Sequence, residues 1–85
     1  MGQLYVGICS VCNQGRQVIH KTLDDGVLFL ACEECESEWA SIDDARRGAP
    51  AAWGTYGSSR PATPSEMRVH PWHVAIINQA DLRAE

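Results

Sequence analysis

Apolar residues alternate with other types near the start of the chain. Leu4, Val6 and Ile8 are separated by Tyr5 and Gly7, a period of two that predicts a short strand. Gln17 to Thr22, with β-branched Val18, Ile19 and Thr22, predicts a second strand. Asp24-Asp25-Gly26 predicts a turn, because Asp and Gly accept the positive φ that a tight reversal needs. Val27 to Ala31, the longest unbroken apolar run, predicts the returning strand.

Beyond residue 40 the pattern turns helical. Ser41-Ile42-Asp43-Asp44 has the form of a helix start and Gly48 that of its stop, which leaves two turns at most. Residues 48–63 are rich in Gly, Pro, Ala and Ser but hold Trp53 and Tyr56, so they read as an ordered loop lying over the strands. Thr63-Pro64-Ser65-Glu66 is a capping box with proline at the first helical position, and Pro71 disfavours helix at His70, so this helix is short. Trp72, Ile76 and Ala80 then fall four apart and predict a last helical face, with a strand over Val74 to Ile77 as the competing reading. The expected fold is small α+β: a hairpin or three-stranded sheet over residues 1–47, and a loop with short C-terminal helices over 48–85 packed on it, as one domain of 1–85.

A chain of 85 residues builds a thin core, and domains of this size often need a disulfide or metal staple. Its formal charge of −4 argues against bulk attraction to nucleic acid, since phosphate binding depends on Lys and Arg displacing counterions. The opening residues MGQLYVGICS carry no early basic residue and no apolar stretch of signal-peptide length, and no run approaches membrane-spanning length. The expectation is a cytoplasmic, reducing location with no membrane role, where paired cysteines hold metal rather than disulfides.

The cysteines are spaced Cys9-x2-Cys12-x19-Cys32-x2-Cys35, the spacing class of a structural zinc site. Two intervening residues let each pair fold into a knuckle with both sulfurs aimed at one centre. Asn13 and Gly15 follow the first knuckle and tolerate left-handed backbone, whereas Glu36 and Ser37 follow the second without a glycine. The 19-residue spacer runs roughly 20 Å out and back as a hairpin, which brings the second knuckle beside the first. One structural Zn²⁺ is the expected cofactor, with iron as a substitute because thiolates also bind it. Four protein ligands leave no open position to activate water, so the site is scaffold and the chain is expected not to be an enzyme. A thioredoxin-type redox motif would need a βαβ setting that this hairpin does not provide.

Other residues are read against simpler roles. Trp39 and Trp72 are assigned to the core; Trp53 is equally a core residue or a partner-binding anchor. His70 and His73 read as ordinary histidines, and Arg46 and Arg47 as complements to a helix C-terminus. Glu33, Glu34, Glu36 and Glu38 surround the second knuckle. Beside a zinc-thiolate centre of net charge −2, they make either a solvated surface or a docking face for a basic partner.

The stretch from Cys9 to Asp44, above all Cys32-Glu33-Glu34-Cys35-Glu36-Ser37-Glu38-Trp39 followed by Ser41-Ile42-Asp43-Asp44, resembles the zinc-ribbon, rubredoxin-like small proteins of bacteria. The tail with Ala62-Thr63-Pro64-Ser65-Glu66 and Trp72 looks like theirs more loosely. That resemblance implies a protein-protein interaction module, one version being an immunity-type protein that neutralises a basic toxin. The alternative it implies is a nucleic-acid-associated ribbon of the transcription or translation machinery. Lys21, expected to face Asp24 and Asp25, fits that role poorly.

Overall fold

The hairpin expected between residues 17 and 31 is present, and the rest of the chain is assembled on it. The computed structural model describes residues 3–49 and 54–83. Among these, Tyr5–Ile8 (β1), Arg16–Thr22 (β2), Leu28–Cys32 (β3), Glu38–Trp39 (β4) and Ser59–Pro61 (β5) form one antiparallel sheet. Ile42–Arg47 (α1), Pro64–Arg68 (α2), a 3-10 turn over Pro71–Ala75, and Gln79–Leu82 (α3) complete it. The fold is small α+β, and among the described residues no helix is long and apolar enough to cross a membrane.

Strand β2 is central. One edge pairs with β3 in the register Gln17↔Cys32 to Lys21↔Leu28. The other edge is divided between β1, at Tyr5↔Val18 and Ile8↔Arg16, and β5, from His20↔Pro61 to Thr22↔Ser59. Ile19 is the junction: its N–H donates to Leu4 O at 3.0 Å and its carbonyl accepts from Ala62 N at 2.9 Å. The register puts Ile19 and Leu30 on one face, where they meet Leu4, Trp39, Ile42, Met67, Ile76 and Leu82 in the main core. Val18 and Phe29 are buried on the opposite face, where Tyr56 stacks on Phe29 with centroids 4.3 Å apart. Strand β2 is thus covered on both sides.

The hairpin turn uses Gly26 at φ 70°, and Thr22 closes it: Thr22 Oγ1 donates to Asp25 Oδ1 and accepts from Val27 N. Lys21 does not face these aspartates. It lies on the Ile19 face of β2 and reaches Glu66 Oε2 at 2.8 Å, because α2 packs across that face. Glu66 also takes both terminal nitrogens of Arg60, the residue across from Lys21 on β5. Its carboxylate therefore pins α2 to two strands.

Helix α1 has the expected caps, Ser41 accepting from Asp44 N and Gly48 in the left-handed conformation. Buried Gln17 donates to the Ala45 carbonyl at its C-terminus, a contact no sequence pattern announces. The capping box at Thr63 is complete, and α2 ends at Arg68 before Pro71.

The segment after Pro71 corrects the expected helical face and its strand alternative alike. Pro71 begins the 3-10 turn, Ile76 is extended, and α3 starts only at Gln79. Ile76 is buried and Trp72 half-buried, while Ala80, Val74 and Ile77 are exposed. Tertiary hydrogen bonds break the periodicity. Ile77 N donates to Tyr5 O, Asn78 Oδ1 accepts from Tyr5 N, and Gln79 Nε2 donates to the carbonyls of His73 and Ile76. The outer edge of β1 is covered in this way rather than left open to another strand.

Candidate metal centre

Each Cys-x-x-Cys folds into the same knuckle. Cys9 Sγ accepts from the N–H groups of Val11 and Cys12, at 3.3 and 3.5 Å. Cys32 Sγ accepts from Glu34 N and Cys35 N, at 3.3 and 3.4 Å. The carbonyl of each first cysteine accepts from the residue four places on, Asn13 or Glu36. Those two are the non-glycine residues with positive φ among the described residues, at 58° and 63°. Glutamate therefore occupies the left-handed position for which glycine is the easier choice, and the repeated hydrogen-bond frame of the knuckle holds it there.

Gly15 is needed for space rather than for its φ. A Cβ at this position would overlap Cys32 Sγ and come within 2.9 Å of Glu34 Cγ. The first knuckle can approach the second only because this side chain is missing. Arg16 then bridges the gap, with a bidentate ion pair from its guanidinium to Glu33 in the second knuckle.

The four sulfurs lie within 4.8 Å of one another, with Cys9–Cys35 and Cys12–Cys32 each at 3.6 Å. A disulfide needs about 2.05 Å. A tetrahedron with metal–sulfur bonds of about 2.3 Å has edges of about 3.8 Å. The spacing is that of ligands around one ion. Cys9 and Cys32 are buried and Cys12 and Cys35 partly so, which makes the centre closed on one side and accessible on the other.

The surroundings favour thiolates on the outer pair. The N–H of Gly15, with that of Gln14, holds Cys12 down to about 6, and the Ser37 hydroxyl at 3.2 Å lowers Cys35. Burial pushes Cys32 up to about 12. A cation among the sulfurs reverses that last effect, since it stabilises every thiolate it touches. Four soft donors converging on one point are the donor set of a tetrahedral metal ion.

The acidic residues around the second knuckle are not one surface. Glu33 is neutralised by Arg16, whose side chain holds its carboxyl at about 2, while Glu34 and Glu36 are exposed. Glu38 is buried and accepts from Thr55 N at 2.9 Å. Sequence reasoning gave no sign of that burial, which arises because β4 pairs with β3 and places Glu38 opposite Ala31. Trp39 is completely buried, as its core assignment expects. Trp53 lies outside the described residues. His70 and His73 make only local contacts: His70 Nδ1 accepts from Trp72 N, and His73 Nδ1 lies 2.8 Å from His70 O. Among the described residues the four cysteines are the sole cluster able to hold a metal. In comparisons with protein-family models, curated proteins and solved structures, nothing matches this chain.

Proposed function

We propose that the protein is a zinc-stabilised binding module that docks a basic protein partner on its acidic side and carries out no catalysis itself. The observation that carries this reading is the closed four-sulfur centre, whose ligand positions are all supplied by Cys9, Cys12, Cys32 and Cys35. Zinc suits four thiolates in a fold this small. It would supply folding energy on the order of 10 kcal/mol and, with no open position, no activated water. Iron in the same site is the substitute.

Charge supports the choice of partner. Arg16, Lys21, Arg47 and Arg60 are all committed to carboxylates of the protein itself. Few cations remain for phosphate, while Glu34 and Glu36 have no ion-pair partner among the described residues. A nucleic-acid role is disfavoured on that ground. A basic toxin is one concrete form of such a partner, and that version rests on the resemblance alone.

Native mass spectrometry of the tagged protein from its host tests both parts. The expected spectrum holds one zinc and a stoichiometric polypeptide, which is lost when Glu34 and Glu36 are changed to Lys with zinc retained. A partner that survives that double reversal, or salt-sensitive binding to DNA or RNA instead, overturns the docking reading. A protein that folds without metal overturns the scaffold.

A further inference from the structure

On the sheet face opposite the main core, the second knuckle and the loop 54–57 stand apart and leave an open groove. Its volume is about 680 Å³, within the range of ligand pockets. Among the described residues, His20, Phe29 and Ala31 lie at its base, Glu34 and Glu36 on one wall, and Gly54 and Gly57 on the other. Among the described residues neither glycine has an atom within 4 Å of where a Cβ would sit.

Glu38 also lines this groove. It is only 9% exposed, yet no cation lies within ion-pair distance of it among the described residues. One oxygen takes the N–H of Thr55, and Oε2 has no hydrogen-bond partner among the described residues. Trp39 Nε1 is the buried side-chain polar atom left without a partner among the described residues, so Oε2 of Glu38 is open to the groove and free to accept from an incoming donor. The ion pairs among the described residues go to other carboxylates, Arg60 and Lys21 to Glu66, Arg16 to Glu33 and Arg47 to Asp44. Glu38 stands apart as an anion aimed into a cavity, with two more carboxylates at the rim.

We infer that the groove is a binding site for an arginine-bearing segment of a partner polypeptide, whose guanidinium enters between the knuckle and the loop to meet Glu38. This deepens, and rests on, the acidic-docking reading. Arginine is favoured over lysine because its planar fork matches a carboxylate in two bonds. Glu34 and Glu36 supply the attraction that steers a basic chain towards the opening.

The test is a titration of the metal-loaded, isotope-labelled protein, followed by amide shifts. The probe is a capped Gly-Arg-Gly-Arg-Gly peptide, with its lysine and glutamate counterparts as controls. Expected are saturable shifts at Ala31, Glu34, Glu36, Gly54 and Gly57, with the arginine peptide tighter than the lysine one and the glutamate peptide inert. Glu38→Gln, whose amide oxygen still accepts from Thr55, should weaken binding about tenfold with metal content unchanged. A Glu34→Gln/Glu36→Gln double variant, remote from the loop contact, should weaken it less. Shifts on another face overturn the groove and leave acidic docking standing. So does a natural partner that binds the intact protein while no peptide does. Equal binding of arginine and glutamate peptides, or indifference to Glu38→Gln, also overturns it.

Discussion

Arg16 and Glu33 clasp the two knuckles together. The Arg16 guanidinium reaches both carboxylate oxygens, Nε to Oε2 at 2.7 Å and Nη2 to Oε1 at 2.9 Å, while Arg16 N donates to Oε2 at 3.0 Å. The main chains close the same loop, with Glu33 N donating to Arg16 O at 3.2 Å. Arg16 lies just past Gly15 and Glu33 sits between Cys32 and Cys35, so the pair sets the separation of the sulfurs from outside the ligand set. The Arg16 side chain also lies over the ring of Tyr5, 5.2 Å from its centroid, which ties β1 to the clasp.

Removing the clasp should loosen metal retention rather than unfold the domain. In Arg16→Ala, zinc transfer to a chromogenic chelator is expected to run roughly two- to fivefold faster, the scale of an exposed but bidentate pair. Circular dichroism should be unchanged. An unaltered transfer rate would show that the backbone hydrogen bonds alone hold the knuckles.

Gly15→Ala tests crowding at the same place. The new methyl would press on Cys32 Sγ and the Glu34 side chain, and relief requires the knuckles to part. A loss of about 1–3 kcal/mol in unfolding free energy is expected, together with weaker metal binding, as for overpacked interiors. Gly57→Ala is the control. It meets open space at φ 71° and should cost only about 1–2 kcal/mol of backbone strain, with metal affinity intact.

Metal removal should unfold the protein. A domain of this size has a total stability of about 5–15 kcal/mol, and the ion is expected to contribute on the order of 10 kcal/mol of it. Excess chelator, or Cys32→Ser, should therefore abolish the cooperative thermal transition seen by circular dichroism. Retention of that transition without metal would make the core of Trp39, Leu30 and Ile19 self-sufficient.

Glu66 predicts a pH dependence. Arg60 above all, with Lys21 and the Thr63 N–H, holds its carboxyl well below the usual 4.5 in the folded protein. The unfolded chain therefore binds a proton more readily. The Glu66 contribution is complete above the unfolded value and is lost progressively as the pH falls below it. Glu66→Gln keeps the capping box and removes the charge. The stability gap between wild type and this variant should be full at neutral pH and close in acid. Glu66→Ala should cost about 1 kcal/mol more at every pH, because the cap is lost as well. A gap that does not change with pH would place the role of Glu66 in the cap alone.

The local signals that held have a common character. The paired cysteines, the turn at Asp24-Asp25-Gly26, the caps at Ser41 and Gly48 and the box at Thr63 each act within a few residues. What failed was local periodicity beyond Pro71, where Tyr5, more than seventy residues earlier in the chain, accepts from Ile77 N and donates to Asn78 Oδ1.

By itself the sequence indicated the four-cysteine cluster, the central hairpin and the starts of α1 and α2, because cysteine spacing, turn chemistry and capping are short-range physics. Only the tertiary structure decided that β4 and β5 exist, since strands of two and three residues have no signal of their own and form on the edges that β3 and β2 offer. It also sorted the four glutamates that look alike in sequence into one clasp, two exposed charges and one buried anion. Their roles depend on Arg16, Ala31 and Thr55 as neighbours, and only the folded sheet brings those residues to them.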